Sequence, residues 1–410
     1  MSLIVQKYGG SSLADAERIQ SVARRVAARH RSGDRLVVVV SAMADTTDRL
    51  LALARQISQQ PEARELDLLF STGETVSMTL LAMALHSLGA EAVSLSGAQA
   101  GLRTDTVHGG ARILALAPDR IQQELERGRV VIVAGFQGIT EELDVTTLGR
   151  GGSDTTAVAL AAALGAERCE IYTDVDGVYT ADPRLEPGAR KLLDISYEEM
   201  LELAGVGAKV LHPRAAELGA VYGIEIIVAS SFSEESGTLI HGGVTMEQFN
   251  KVRGIAHDLD VAKVTVRGVP NQPGIAAGIF EPLAEHQISV DTIVQNASVD
   301  QLTDVTFTVA GGDLGKATPI VERVAKEIGA AEVVADDGLG KVSIVGTGMQ
   351  SAPGYAARMF RILSDAGINI EIISTGEIRI TCIVRRTDVE EAVRALHKAF
   401  ELEKAEPGEL

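Results

Sequence analysis

The stretch Leu148-Gly-Arg-Gly-Gly-Ser-Asp-Thr-Thr-Ala157 sets three glycines around one arginine and then runs into the alanine-rich segment 157–164. Glycine lets the backbone bend freely and approach a ligand closely. Ser153 or Asp154 is suited to N-cap the helix that follows. The free N–H groups and positive dipole end of that helix would favour an anion in the loop. Arg150 adds a planar fork matched to a carboxylate or a phosphate. An ordinary capped turn would use the same residues, but a second loop of the same chemistry opens the chain, Lys7-Tyr-Gly-Gly-Ser-Ser12.

Outward from these loops the chain alternates strand and helix patterns. Residues 3–7 read as a strand entering the first glycine loop. Residues 14–30 carry Ile19, Val22, Ala23, Val26 and Ala27 at helical spacing, closed by Gly33. Leu36-Val-Val-Val-Val40 is a continuous β-branched run, the mark of a parallel strand buried on both faces. Further strands are expected at 92–95, 130–134 and 170–173. The pattern predicts an α/β fold whose mainly parallel sheet is sandwiched by helices. Ligands of such sheets sit beyond the carboxyl ends of the strands, where Lys7, Ser41 and Thr173 fall.

Ser71-Thr-Gly-Glu74 is expected to open a long helix with Val76, Leu80, Leu81, Met83 and Leu88 on its apolar stripe. An acid such as Glu74 in a first turn suits the helix dipole. Thr47, in the loop Ala44-Asp-Thr-Thr-Asp48, reads as a helix cap. Ile171-Tyr-Thr-Asp-Val-Asp-Gly-Val-Tyr-Thr-Ala-Asp-Pro-Arg184 reads as a strand, an Asp-Gly turn and a polar loop. His212, before Pro213, reads as structural. From Gly237 the texture changes to a domain exit and linker.

The last third is an internal repeat. Lys263-Val-Thr-Val-Arg-Gly268 matches Lys341-Val-Ser-Ile-Val-Gly346, Pro273-Gly274 matches Pro353-Gly354, and Ile288-Ser-Val-Asp291 matches Ile368-Asn-Ile-Glu371. Each copy reads as a ferredoxin-like βαββαβ unit of about 80 residues. The expected division is 1–245, a linker 246–262, and two copies at 263–337 and 338–410. Residues 254–259 could supply a strand to either copy.

With 38 basic and 56 acidic residues the net charge is −18, which argues against nucleic acid or an anionic membrane as a general partner. Cys169 and Cys382 lie in apolar strand-like runs and are expected to be buried free thiols. No unbroken apolar run approaches the roughly 20 residues of a membrane span. No basic-then-apolar leader precedes the first strand, so a cytoplasmic location is expected.

The glycine loops are not a Walker loop, a G-x-G-x-x-G fingerprint or a D-F-G kinase motif. Together, Lys7-Tyr-Gly-Gly-Ser-Ser and Gly-Arg-Gly-Gly-Ser-Asp-Thr-Thr resemble the signatures of the aspartate kinases, members of the amino-acid kinase superfamily. The resemblance runs over almost the whole chain. The twin repeats, each with a loop and Pro-Gly before a helix, resemble ACT domains, which sense amino acids between paired copies.

The resemblance implies phosphoryl transfer from ATP, carried with Mg2+, to the β-carboxylate of L-aspartate, with no tightly bound cofactor and no metal-ligand set to be read from the sequence. It assigns Lys7, Gly9, Gly10 and Asp154 to the transferring phosphoryl, Asp154 as the partner that orients Lys7. Ser41, Thr47, Glu74, Arg150, Gly151 and Ser153 fall to the substrate, Glu74 taking its α-ammonium group. Lys7, Thr173, Asp174, Tyr179, Arg184 and Lys209 fall to the nucleotide. Regulation by lysine, threonine or both is implied, with Asn271, Gly274, Ile275, Gln295 and Asn296 at the principal site and Met349, Gly354 and Asn369 as the facing half. A homodimer or higher oligomer through the ACT domains follows from the same likeness. The rival readings are another amino-acid kinase, such as an acetylglutamate or glutamate 5-kinase, and a catalytically inactive amino-acid sensor.

Overall fold

The computed structural model describes residues 2–208, 210–242, 252–296, 301–349 and 353–404. Its N-terminal part is built on a sheet ordered Asp194–Ser196, Thr238–His241, Ile226–Ser230, Arg168–Thr173, Leu3–Tyr8, Arg35–Val40, Val130–Ala134, Ala92–Leu95. All neighbours in it are parallel except Ile226–Ser230 with Thr238–His241. The helices are α1 (Ala16–Arg31), α2 (Thr46–Ile57), α3 (Ala63–Ser87), α4 (Asp119–Glu126), α5 (Gly152–Leu164), α6 (Tyr197–Gly205) and α7 (Pro213–Tyr222).

The continuous apolar strands are buried on both faces. Leu3, Val5, Val37, Val39, Val131 and Val133 pack with Ala157, Val158, Leu160 and Ala161 of α5. Ile4, Tyr8, Leu36, Val38, Val40 and Ile132 pack with α1 and α3 on the other side. Because side chains alternate along a strand, Lys7 follows Leu3 and Val5 onto the α5 face. The fold class and the five inward residues of α1 are as expected. Both cysteines are buried and free, and burial pushes their thiol pKa values up.

Three expectations change. The long helix begins at Ala63, so Glu74 lies mid-helix and not in a first turn. Its inward stripe is Asp67, Ser71, Glu74, Met78, Leu81 and Leu85, whereas Val76, Leu80, Met83 and Leu88 face outward. This helix has the length of a membrane span and a mean hydropathy of 1.4 in its most apolar window, yet it buries two carboxylates, Asp67 and Glu74, against the rest of the domain. Second, Thr238–His241 is a strand of the main sheet and not yet the exit from it. Third, the loop at 44–48 is short, since α2 starts at Thr46. Thr47 is inside that helix, and Asp45 holds the N-cap position.

The repeats form one sheet ordered Val290–Gln295, Leu302–Val309, Gly254–Pro270, Glu332–Val345, Arg379–Arg385, Ile372–Thr375. Its two central strands are long and shared. Residues 263–267 pair with 332–336 within the first copy, while Gly254 to Asp258 pair with Val345 to Lys341 of the second. The first copy is thus inserted between the second copy and one of its strands. Reciprocal ion pairs join the copies: Lys263 meets Glu371 at 2.8 Å, and the repeat-equivalent Lys341 meets Asp291. Gly274 and Gly354 N-cap equivalent 11-residue helices with φ of +92° and +106°, a region that favours glycine.

Candidate active site

Four loops gather at the carboxyl edge of the main sheet. Backbone hydrogen bonds tie them together: Gly9 N–H to Tyr172 O (3.1 Å), Ser41 N–H to Tyr8 O (3.1 Å), Gly135 N–H to Val40 O (3.0 Å) and Ser231 N–H to Thr173 O (2.9 Å). Glycine is required where they crowd. A Cβ on Gly10 would lie 2.7 Å from Ala42 O, and one on Gly135 would lie 2.8 Å from Ser153 Oγ.

Lys7 Nζ stands 2.6 Å from Asp154 Oδ1, both side chains close to nine-tenths buried. Asp154 reaches it from the first turn of α5. Neither Ser153 nor Asp154 caps that helix: Gly151 takes the cap position at φ +70° and no side chain bonds there. The positive φ lets the chain turn sharply between the Arg150 loop and α5. It also brings the His212 ring against Gly151, where a Cβ would sit 2.0 Å from the ring. His212 caps α7, its Nδ1 accepting the Arg214 N–H at 3.3 Å. Burial holds its pKa below the usual histidine value, in keeping with an unprotonated acceptor nitrogen.

Glu74 is buried beside the Ser41–Ala42 turn. Its Oε1 accepts the Ala42 N–H at 3.0 Å, and its Oε2 has no partner among the described residues. Burial pushes its pKa up to about 7, against two backbone hydrogen bonds that lower it. A half-satisfied buried carboxylate is costly unless a donor or cation completes it. Gly73 permits this approach, since a Cβ there would stand 2.8 Å from that of Ala42.

The Arg150 loop is closed by Gly152 N–H to Gly149 O at 3.0 Å and braced by Arg214, which donates to Leu148 O at 2.7 Å. Arg150 itself is exposed, and no ion pair to it occurs among the described residues. Phe136, at φ +67°, follows Gly135 and accepts the Leu148 N–H at 2.8 Å.

The expected nucleotide residues lie along the next strand end. Thr173 Oγ1 donates to Asp174 at 3.0 Å, and Tyr179 donates to Asp176 at 2.9 Å. Arg184 is exposed and bound to Asp182 at 2.7 Å. Lys209 lies outside the described residues. The structure therefore joins Lys7 to Asp154 directly and brings the glycine loops, Ser41, Glu74 and Thr173 to one edge, while Tyr179 and Arg184 rest on local carboxylates. No group of three or more His, Cys, Asp or Glu side chains among the described residues has the arrangement of metal ligands.

Comparison with known proteins places this geometry. Residues 2–230 match the amino acid kinase family, and 264–328 and 342–400 each match an ACT domain. The aspartokinase of Mycolicibacterium smegmatis is 51% identical over 408 residues, covering 98% of this chain and 97% of its own. The chain belongs to the aspartokinases. The aspartokinase of Corynebacterium glutamicum is likewise 51% identical, over 98% of this chain and 97% of its own. Among solved structures, E. coli aspartokinase III in complex with aspartate and ADP (R-state) matches with TM-score 0.81 and 28% identity, covering 97% of this chain and 99% of that one. The same enzyme with lysine and aspartate (T-state) matches with TM-score 0.77 and 28% identity, over 97% and 99%.

The expected regulatory residues are divided. Asn296 lines a cleft of about 320 Å³ with Lys263, Thr306, Glu371 and Ile372, and so with both ACT copies. Met349 and Gly354 line another, of about 440 Å³, with Tyr355, Glu377 and Arg379. Asn271, Gly274, Ile275, Gln295 and Asn369 line neither. The two Pro-Gly loops do not face each other within the chain. They leave opposite ends of the shared ladder, with Arg267 paired to Glu332 at one end and Gly254 to Val345 at the other. At about 3.3 Å per residue that is roughly 40 Å.

Proposed function

We propose that this aspartokinase transfers the γ-phosphoryl group of ATP, entering as its Mg2+ complex, to the β-carboxylate of L-aspartate. A carboxylate oxygen attacks phosphorus, the bond to the β–γ bridging oxygen breaks, and 4-phospho-L-aspartate and ADP leave. The carrying observation is a buried Lys7–Asp154 pair on the same sheet edge as Glu74, whose outer oxygen lacks a partner among the described residues. The nucleophile is already ionised near pH 7, so no general base is needed. Lys7 and the Gly9 and Gly10 amides meet the charge of the transferring group, and Asp154 holds Lys7. Glu74 receives the α-ammonium group. Arg150 takes a carboxylate, with Ser41, Thr47, Gly151 and Ser153 around the substrate. Thr173, Asp174, Tyr179, Arg184 and Lys209 hold the nucleotide. The E. coli enzyme solved with aspartate and ADP supports the choice of ligands. An ADP-release assay decides it: turnover with aspartate is expected, turnover only with glutamate or acetylglutamate would indicate another amino-acid kinase, and none with any would indicate a sensor.

Arg150→Lys tests the substrate side. A point charge cannot reproduce a bidentate fork, so the aspartate KM should rise about tenfold or more with the ATP KM little changed. If the ATP constant moves instead, the loop holds phosphate and the roles of the two glycine loops are exchanged.

The same reading extends to control. The reaction is the first step toward lysine, threonine and methionine, carried out in the cytoplasm, and lysine, threonine or both inhibit it through the ACT copies at 263–337 and 338–410. Support comes from the E. coli enzyme solved with lysine and from the contact of the second ACT copy with the nucleotide loop. Ala181 and Leu185 pack into its core, Thr180 bonds His397 at 3.0 Å, and Thr347 donates to Glu199 of α6 at 2.8 Å. Since the two Pro-Gly loops of one chain lie apart, a second chain completes the regulatory site, in a homodimer at least. Asn296→Ala or Gln295→Ala should relieve inhibition and leave the uninhibited kcat nearly intact. Full wild-type activity at millimolar levels of both amino acids would refute regulation and leave the kinase assignment standing.

A further inference from the structure

α3 carries a second buried carboxylate, two turns before Glu74 on the same face, that the proposed reaction does not use. Asp67 is 1% exposed. It accepts the Thr147 N–H at 2.9 Å, the Thr147 hydroxyl at 2.6 Å, the Gly109 N–H at 3.0 Å and His108 Nδ1 at 3.0 Å. These donors sit on two segments that flank the Arg150 loop. Thr147 ends the short strand Val145–Thr147, and Leu148 leads from it into Gly149 and Arg150. Gly109 packs on the other side: a Cβ on Gly149, at φ +73°, would stand 3.1 Å from Gly109 O. Thr147 O accepts the Ala111 N–H at 2.9 Å, and Arg214 clamps Leu148 O and Ala111 O together.

A core helix does not need a carboxylate there. An apolar side chain would pack, but it would leave four donors unanswered, two of them backbone groups. Asp67 answers them and fixes where Leu148 leaves a separate four-stranded sheet ordered Ile113–Leu116, Leu102–Thr104, Gln137–Ile139, Val145–Thr147. One rigid helix thereby presents Glu74 to the site and, seven residues earlier, sets the base of the loop that presents Arg150.

We propose that Asp67 is a positioning residue for aspartate recognition, acting through Thr147 and Gly109 to hold Arg150 at a set distance from Glu74. This rests on the reading of Arg150 as the group that takes a substrate carboxylate. Misplacement of such a group by about 1 Å is enough to cost on the order of 10²-fold in the reaction.

The test is a mutant cycle on the full-length enzyme with Asp67→Asn, Thr147→Val and Arg150→Lys, reading both KM values, kcat and Tm. Asp67→Asn and Thr147→Val are expected to raise the aspartate KM about tenfold with the ATP KM unchanged, and to add less than about twofold in the Arg150→Lys background. A selective KM shift does not arise from a smaller folded fraction, which would lower kcat alone. Additive effects with Arg150→Lys would overturn the proposal, as would equal shifts in both KM values. If Asp67→Asn fails to fold, Thr147→Val carries the same cycle. The Arg150→Lys arm alone reports on the underlying reading: an ATP effect there discards the carboxylate role of Arg150, and with it the proposal, whereas an aspartate effect there with silent Asp67 and Thr147 variants discards only the proposal.

Discussion

Lys7→Ala should lower kcat roughly 10²–10³-fold or more, the usual cost of losing one preorganised group at a developing charge. Lys7 is placed by strand alternation onto the α5 face and held 2.6 Å from Asp154, so its ammonium needs no reorganisation when phosphate arrives. Binding of aspartate and ATP should persist in weakened form, since Glu74, Arg150 and the nucleotide loop stay intact. The variant has a second consequence, because it leaves Asp154 buried without its cation, and an unpaired buried charge is strongly destabilising. The double variant Lys7→Ala/Asp154→Asn removes that charge with little change of shape. It should recover much of the lost Tm and none of the lost kcat. Steady-state kinetics and thermal unfolding of the two variants separate the roles. A near-normal kcat in purified Lys7→Ala would sink the assignment.

What the sequence made legible follows from how each feature is encoded. Strands 35–40 and 130–134 announce themselves because burial on both faces forces unbroken apolar runs. The repeats announce themselves because Pro-Gly must recur before each equivalent helix, with the glycine at positive φ. The start of α3 was hidden for the opposite reason. Its inward stripe is polar over its first half, where Asp67 meets Thr147 and Gly109, Ser71 meets Gln137 and Glu74 meets Ala42, and none of the three joins the apolar clusters of the main sheet. Hydrophobic spacing therefore favoured Val76 and Met83, which are 49% and 65% exposed. The place of Asp67 and the contact that His212 makes are not legible because their partners lie far off in the chain, Thr147 80 residues from Asp67 and Gly151 against the His212 ring. The strand exchange that completes the second ACT copy from residues 254–258 is equally non-local. The sequence offers residues 254–259 to either copy, and only their pairing with 341–345 assigns them to the second.

Glu74→Gln should weaken aspartate binding and yet stabilise the free enzyme above neutral pH. Burial raises the Glu74 pKa from 4.5 to about 7 in the folded chain. Between those values the folded protein keeps a proton that the unfolded chain has lost, so the cost of burying Glu74 is least at low pH and grows as pH rises toward 7. The full difference corresponds to roughly 3 kcal/mol at alkaline pH. Glutamine keeps the acceptor for the Ala42 N–H but places an unpaired amide where Oε2 stands, offsetting part of the gain. A net stabilisation of about 1–2 kcal/mol near pH 8 remains, a rise of a few degrees in Tm that should vanish near pH 5. Substrate binding runs the other way. An ammonium group completes Oε2 only when the carboxylate is ionised, so Glu74→Gln should raise the aspartate KM about 10²-fold, with the ATP KM unmoved. In the wild type the aspartate KM should climb as pH falls below about 7, toward tenfold per unit, until it meets the titration of aspartate itself. Aspartate KM values measured across pH 5.5–8.5 for both proteins, with Tm of each over the same range, provide the check. A wild-type KM flat across this range, or a Glu74→Gln variant less stable than wild type near pH 8, would show that Glu74 is not the buried, half-satisfied carboxylate that awaits the substrate's ammonium group.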